Sequence, residues 1–104
     1  MAVKATKESF SQEVLEAQGL VIVDFYSDSC VPCKRMSPVL AEIEEENPDI
    51  KLVKVNINFD RSLAGEYAVQ SVPTLIFFKD GEETDRIIGA AKKADIVETA
   101  GKFR

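Results

Sequence analysis

The sequence predicts an α/β fold: a mixed five-stranded sheet, with a parallel βαβαβ part and an antiparallel C-terminal hairpin, sandwiched by four helices. Three observations predict it. Short β-rich apolar runs alternate with segments of helical periodicity through the first two thirds of the chain. Asp80-Gly81 separates two further apolar runs and is a strong short hairpin signal. After that hairpin the chain closes with an amphipathic helical segment.

Taken in order, the first strand is expected near Val3 to Ala5. A helix follows, on which Phe10, Val14 and Ala17 recur at i, i+4 and i+7, with Ser9 and Gln12 spaced as a capping box and Gly19 as its end. Leu20 to Tyr26 carries β-branched and aromatic residues without alternation, the mark of a central strand covered on both faces. Ser27-Asp28-Ser29 forms a polar turn. The next helix lines Met36, Val39, Leu40 and Ile43 along one face, runs into Glu44-Glu45-Glu46 and stops at Asn47-Pro48.

A strand from Ile50 to Ile57 then leads to a short helix carrying Leu63, Ala64 and Tyr67. Helical crossovers between successive strands imply right-handed parallel connections, with helices on both faces. Thr74 to Lys79 and Glu82 to Ile88 make the antiparallel pair, and a last helix, Lys92 to Phe103, buries Ile96, Val97, Ala100 and Phe103 against the sheet. Pro38 has two readings. It kinks a helix that began earlier, or Ser37 caps a helix whose first residue is Pro38, which leaves the cysteines in a loop.

The 104 residues, 45% of them hydrophobic, are expected to form a single domain, 1–104, with a real core. No repeat, low-complexity stretch or Gly/Ser linker divides them. A formal net charge of −5 argues against nucleic acid and anionic lipid as partners. Residues 1–8 have no apolar stretch followed by a small-residue cleavage site, so no secretory signal is read there. The apolar run Leu20 to Tyr26 is interrupted by Asp24 and falls far short of the roughly 20 residues that span a membrane. A cytoplasmic protein is expected.

The chain has 2 cysteines, Cys30 and Cys33, and no histidine. One chain therefore cannot assemble a four-ligand zinc site from N and S donors, and Cys-His pairs, Ser-His-Asp triads and histidine acid–base chemistry are excluded. No metal is expected. Cys30-Val31-Pro32-Cys33 falls where a buried strand hands over to a helix, at the carboxyl end of a strand, where open α/β sheets place their reactive groups. With the helix starting near Cys30, the unpaired N–H groups of its first turn stabilise a thiolate there, and Cys30 becomes the nucleophile. Cys33, three residues on, lies one turn deeper and more shielded. As a mere staple the bond would close a four-residue loop worth only about 2 kcal/mol, and in a cytosolic chain it would tend to stay reduced. Redox chemistry is the reading these positions favour.

Beyond the cysteine pair, matches run along the whole chain: Val23-Asp24-Phe25, Cys30-Val31-Pro32-Cys33-Lys34, Pro38, Lys54-Val55-Asn56, Val72-Pro73-Thr74, Asp80-Gly81 and Gly89. This ordered set resembles the thioredoxin family, and the resemblance implies the thioredoxin fold and a monomeric protein-disulfide reductase without a cofactor of its own. The implied partners are disulfide-containing proteins and a thioredoxin reductase that restores the dithiol. The chain itself has no Gly-rich dinucleotide motif.

The resemblance also assigns roles. Asp24 would serve Cys33 through water as the base that resolves the mixed disulfide; burial would raise its pKa, while an edge position or bulge would let it reach solvent instead. Lys54 would tune Asp24, or be a solvated strand lysine. Pro73 would be cis and face the disulfide, with Val72 offering backbone groups to an extended client, or be a trans proline opening a strand. Gly89, with Ala90, would complete an apolar rim with Val31, Pro32 and Val72, or simply bend the chain after the last strand. Two positions depart from the family: Ser29 stands where Trp is usual and offers a hydroxyl cap to the helix, and Val31 stands where Gly is usual and stiffens the loop. A binding module with incidental cysteines and an oxidase or isomerase are the rival readings.

Overall fold

A computed structural model describes residues 2–104 and shows one sheet of five strands in the order β1-β3-β2-β4-β5. The strands are β1 (Val3–Lys4), β2 (Leu20–Tyr26), β3 (Ile50–Asn56), β4 (Thr74–Lys79) and β5 (Glu82–Ile88). β1 and β2 both run parallel to β3, while β4 runs antiparallel to both β2 and β5. Helices α1 (Val31–Glu46), α2 (Arg61–Glu66) and α3 (Lys93–Gly101) flank the sheet, with a five-residue π-helical segment, Ser11–Leu15, between β1 and β2. No helix among the described residues is long and apolar enough to cross a membrane.

β2 occupies the centre because both of its faces are apolar. Its odd-numbered residues Val21, Val23 and Phe25 join Val53, Val55, Ile76 and Phe78 in a core that Phe10, Val14 and Leu63 cover. Its even-numbered residues Leu20 and Ile22 join Leu52, Leu75 and Phe77 under Met36, Leu40 and Ile43 of α1 and Ile96 and Ala100 of α3. The two-residue period of a strand thus sends Asp24, next in the even series, toward α1. At the hairpin, Gly81 adopts φ +86°, and a Cβ there would collide with the Leu15 carbonyl. Glycine therefore both permits the turn and lets it approach the π-helical segment.

Strands β2, β4 and β5 and helix α1 lie where the sequence predicts, and Pro38 lies inside α1, so Ser37 is not a cap. The first helical segment differs from expectation. It is a single π-type turn whose entry residue is Phe10, and the Ser9 hydroxyl accepts the Thr6 N–H at 2.9 Å instead of capping forward. Gln12 is exposed, so no capping box forms. The segment is held from outside: the Lys51 ammonium donates to the Glu13 carbonyl at 2.8 Å and to its carboxylate at 2.7 Å.

Candidate active site

The register collects the predicted residues at one end of the sheet. Phe25 near the end of β2 pairs with Thr74, the first residue of β4, and Thr74 pairs with Ile88, the last of β5. The loops holding Cys30, Val72-Pro73 and Gly89 therefore leave the sheet at the same edge. Val72-Pro73 is cis. The Gly89 N–H donates to the Pro73 carbonyl at 2.8 Å, and the Thr74 hydroxyl donates to the Ser71 carbonyl at 2.8 Å, which ties this loop to the strands it joins. Gly89 has φ +92°, so it also makes the bend that ends β5. Val72 is half-buried, Pro73 buried and Ala90 exposed.

Cys30 and Cys33 are joined in a disulfide with 5.2 Å between their Cα atoms. α1 opens with Cys30 as its N-cap in extended conformation, and the Cys30 sulfur accepts the Cys33 N–H at 3.1 Å. The cap expected from the Ser29 hydroxyl is thus supplied by Cys30 itself, while Ser29 is exposed. Pro32 occupies the second helical position, where a missing N–H costs no helical bond. Cys30 is half-buried and Cys33 only 5% exposed, as the one-turn offset predicts. Between them Val31 is 57% exposed, an apolar surface beside the sulfurs.

Asp24 is 1% exposed in the central strand, which excludes the edge and bulge readings. Neither of its oxygens has a hydrogen-bond partner among the described residues. Burial pushes its pKa from 3.8 up to about 6, against the opposing pull of the Lys54 ammonium. Lys54 is the Cα partner of Asp24 across the β2–β3 pairing. Its ammonium donates to the Ser37 hydroxyl at 2.8 Å and lies 5.0 Å from the centre of the Tyr26 ring. A cleft of about 130 Å³ opens here, and Cys33, Ser37, Lys54 and Tyr26 are among its lining residues.

Sequence reasoning assigned neither Ser37 nor Tyr26 to the site. Both had a signal: Ser37 follows Cys33 by four positions on α1, and Tyr26 follows Asp24 by two on β2, so each shares a face with a predicted site residue.

A disulfide spanning a single helical turn, one sulfur reachable and the other shielded, is made and broken within a four-residue ring; a site of this kind defines a thiol–disulfide oxidoreductase. The Thioredoxin family model matches residues 1–102. Thioredoxin 1 of Synechococcus elongatus is 41% identical over 103 residues, 98% of this chain and 96% of its own. The thioredoxin of Pyropia yezoensis is 43% identical over 101 residues, 96% and 94% of the two chains, and that of Bacillus subtilis 42% over 101, 96% and 95%. The chain belongs to the thioredoxin family and is a protein-disulfide oxidoreductase.

Proposed function

We propose that the reduced chain acts as a monomeric, single-domain cytoplasmic reductase in which Cys30 attacks and Cys33 resolves. The Cys30 thiolate forms a bond to one sulfur of a client disulfide, and the other client sulfur leaves as thiolate. Cys33, losing its proton, then attacks the Cys30 sulfur of the mixed disulfide. The client's second sulfur leaves, two electrons have passed to the client, and Cys30-Cys33 is oxidised. A thioredoxin reductase returns two electrons to start the next cycle.

Asp24 is the base that receives the Cys33 proton through water, because it is the carboxylate buried beneath α1 and its pKa of about 6 leaves it ionised yet basic near neutrality. Lys54 sets how strongly Asp24 holds that proton. Val72 offers its backbone beside cis-Pro73, and Val31, Pro32 and Gly89 supply the contact surface for an extended client segment.

The observation that carries this reading is the Cys30 sulfur accepting the Cys33 N–H at the first turn of α1, which places a helix amide on the atom that becomes negative. Insulin-disulfide reduction with dithiothreitol tests it. The chain is expected to accelerate insulin precipitation and Cys30→Ser to abolish the effect; no acceleration by the parent chain rules the reading out.

A further inference from the structure

The connection from β5 to α3 carries the rim residues Gly89 and Ala90, and hydrogen bonds hold it at two points. At its start the Gly89 N–H donates to the carbonyl of cis-Pro73 at 2.8 Å. Two residues on, the Ala91 N–H donates to the Met36 sulfur at 3.5 Å. Ala91 also packs, with Ile87, against the core cluster that contains Met36.

Met36 follows Cys33 by three positions on α1, so the two buried side chains share a face one turn apart. Its thioether therefore ties the helix that holds the sulfurs to the chain leaving β5. The two bonds link three segments in one line: α1, the connection at residues 89–91, and the loop of Val72-Pro73. The same three segments supply Val31, Gly89 and Val72 to the client-contact surface.

Packing alone does not call for methionine at position 36. Leu40 and Ile43 continue the same face with hydrocarbon, and leucine conserves the volume of methionine closely enough to serve in such a core. What the thioether adds is an acceptor, weak but carried on a side chain flexible enough to reach a backbone amide. Without it the part-buried Ala91 N–H loses that partner, a cost that the connection relieves by shifting toward solvent.

We propose that Met36 is a positioning residue for client binding. Its sulfur sets where Gly89 and Ala90 stand relative to α1, and so the groove between Val31 and Gly89 in which an extended client segment lies. The inference rests on the client-contact reading above and adds the residue that fixes its geometry. A small disulfide, which reaches the sulfurs without filling that groove, does not sense Met36.

The test compares the fully reduced parent chain with Met36→Leu in stopped-flow reduction of two disulfides. One is bis(2-hydroxyethyl) disulfide; the other is a synthetic peptide dimer whose two extended strands are joined by a single disulfide. Met36→Leu is expected to reduce the peptide about threefold more slowly, the lower end of what one hydrogen bond contributes, and the small disulfide at the parent rate. Amide hydrogen exchange followed by NMR reads the bond itself. The Ala91 amide is expected to be protected in the parent chain and to lose protection in Met36→Leu.

A peptide rate unchanged by Met36→Leu, or an equal slowing of both disulfides, would overturn the proposal. So would an unprotected Ala91 amide in the parent chain, a measurement that needs no variant to fold. Failure of the parent chain to reduce either disulfide would instead overturn the redox reading beneath it.

Discussion

Asp24 and Lys54 are direct partners across the β2–β3 pairing, yet the Lys54 ammonium is hydrogen-bonded to Ser37 and not to the Asp24 carboxylate. Lys54 therefore acts on Asp24 through its field alone. The carboxylate keeps the elevated pKa that an ion pair at hydrogen-bond distance would have pulled down.

Asp24 costs stability at neutral pH. Its folded pKa of about 6 exceeds the ordinary 3.8, so between these values the folded state binds more proton than the unfolded chain, and stability falls as pH rises. The penalty is absent below about pH 4 and complete above about pH 6, reaching roughly 3 kcal/mol. Asp24→Asn is expected to raise the urea unfolding free energy by about 1–3 kcal/mol at pH 8, the lower figures reflecting an unpaired amide, and to change little at pH 4.

The same carboxylate imposes a pH dependence on resolution. Cys33 loses its proton to Asp24 only when Asp24 is ionised, so the single-turnover rate of mixed-disulfide resolution is expected to rise with pH through about 6. Asp24→Asn should slow this step by roughly a hundred-fold near neutrality and remove the inflection, a loss at the lower end of what general bases contribute. A profile unchanged by the substitution would take Asp24 out of the mechanism.

Ser37 and Lys54 are expected to move the Asp24 titration in opposite directions. Ser37→Ala removes the acceptor that holds the Lys54 ammonium, freeing it to approach the carboxylate and lower its pKa. Lys54→Met removes the opposing charge, leaving burial unopposed and raising the pKa above about 6. Titration of the Asp24 carboxyl carbon by NMR reads both directions in one experiment.

Gly81→Ala tests the hairpin. The position combines φ +86° with a Cβ directed into the Leu15 carbonyl, so Ala is expected to lower the unfolding free energy in urea by more than the roughly 1 kcal/mol that a strain-free glycine replacement gains. Reduction of insulin at a temperature well below the transition should persist, because the hairpin tip lies at the end of the sheet opposite the sulfurs.

Much of this architecture was legible because period and turn chemistry agreed. Leu20 to Tyr26 reads as a doubly covered strand from composition alone, and Asp80-Gly81 fixes the boundaries of β4 and β5. The π-type turn at Ser11–Leu15 was not legible. Its apolar spacing is that of any helix, and the contact that holds it, a lysine from β3 reaching across to Glu13, joins residues 38 positions apart. Pro38 was ambiguous because proline fits both a first turn and an interrupted helix. Packing decides between them, since Met36, Leu40 and Ile43 bury one continuous face on either side of it.

At the site, the cysteines, the buried aspartate and the cis proline were visible in the sequence or through its resemblance. The Ser37 link to Lys54 was hidden, being a contact between a helix and a strand 17 positions apart. So was the cap, because sulfur is a weak acceptor and Ser29 offered a hydroxyl one residue earlier.

The division of labour between the two sulfurs is tested most directly by trapping the mixed disulfide. Reduced Cys33→Ser is incubated with a disulfide-bonded client, the adduct is digested, and the linkage is mapped by mass spectrometry. The expected result is a stable client adduct on Cys30, with no adduct forming on Cys33 in the Cys30→Ser chain under the same conditions. An adduct captured by Cys33 in the Cys30→Ser chain as readily as by Cys30 would contradict the assignment of the nucleophile to the helix start.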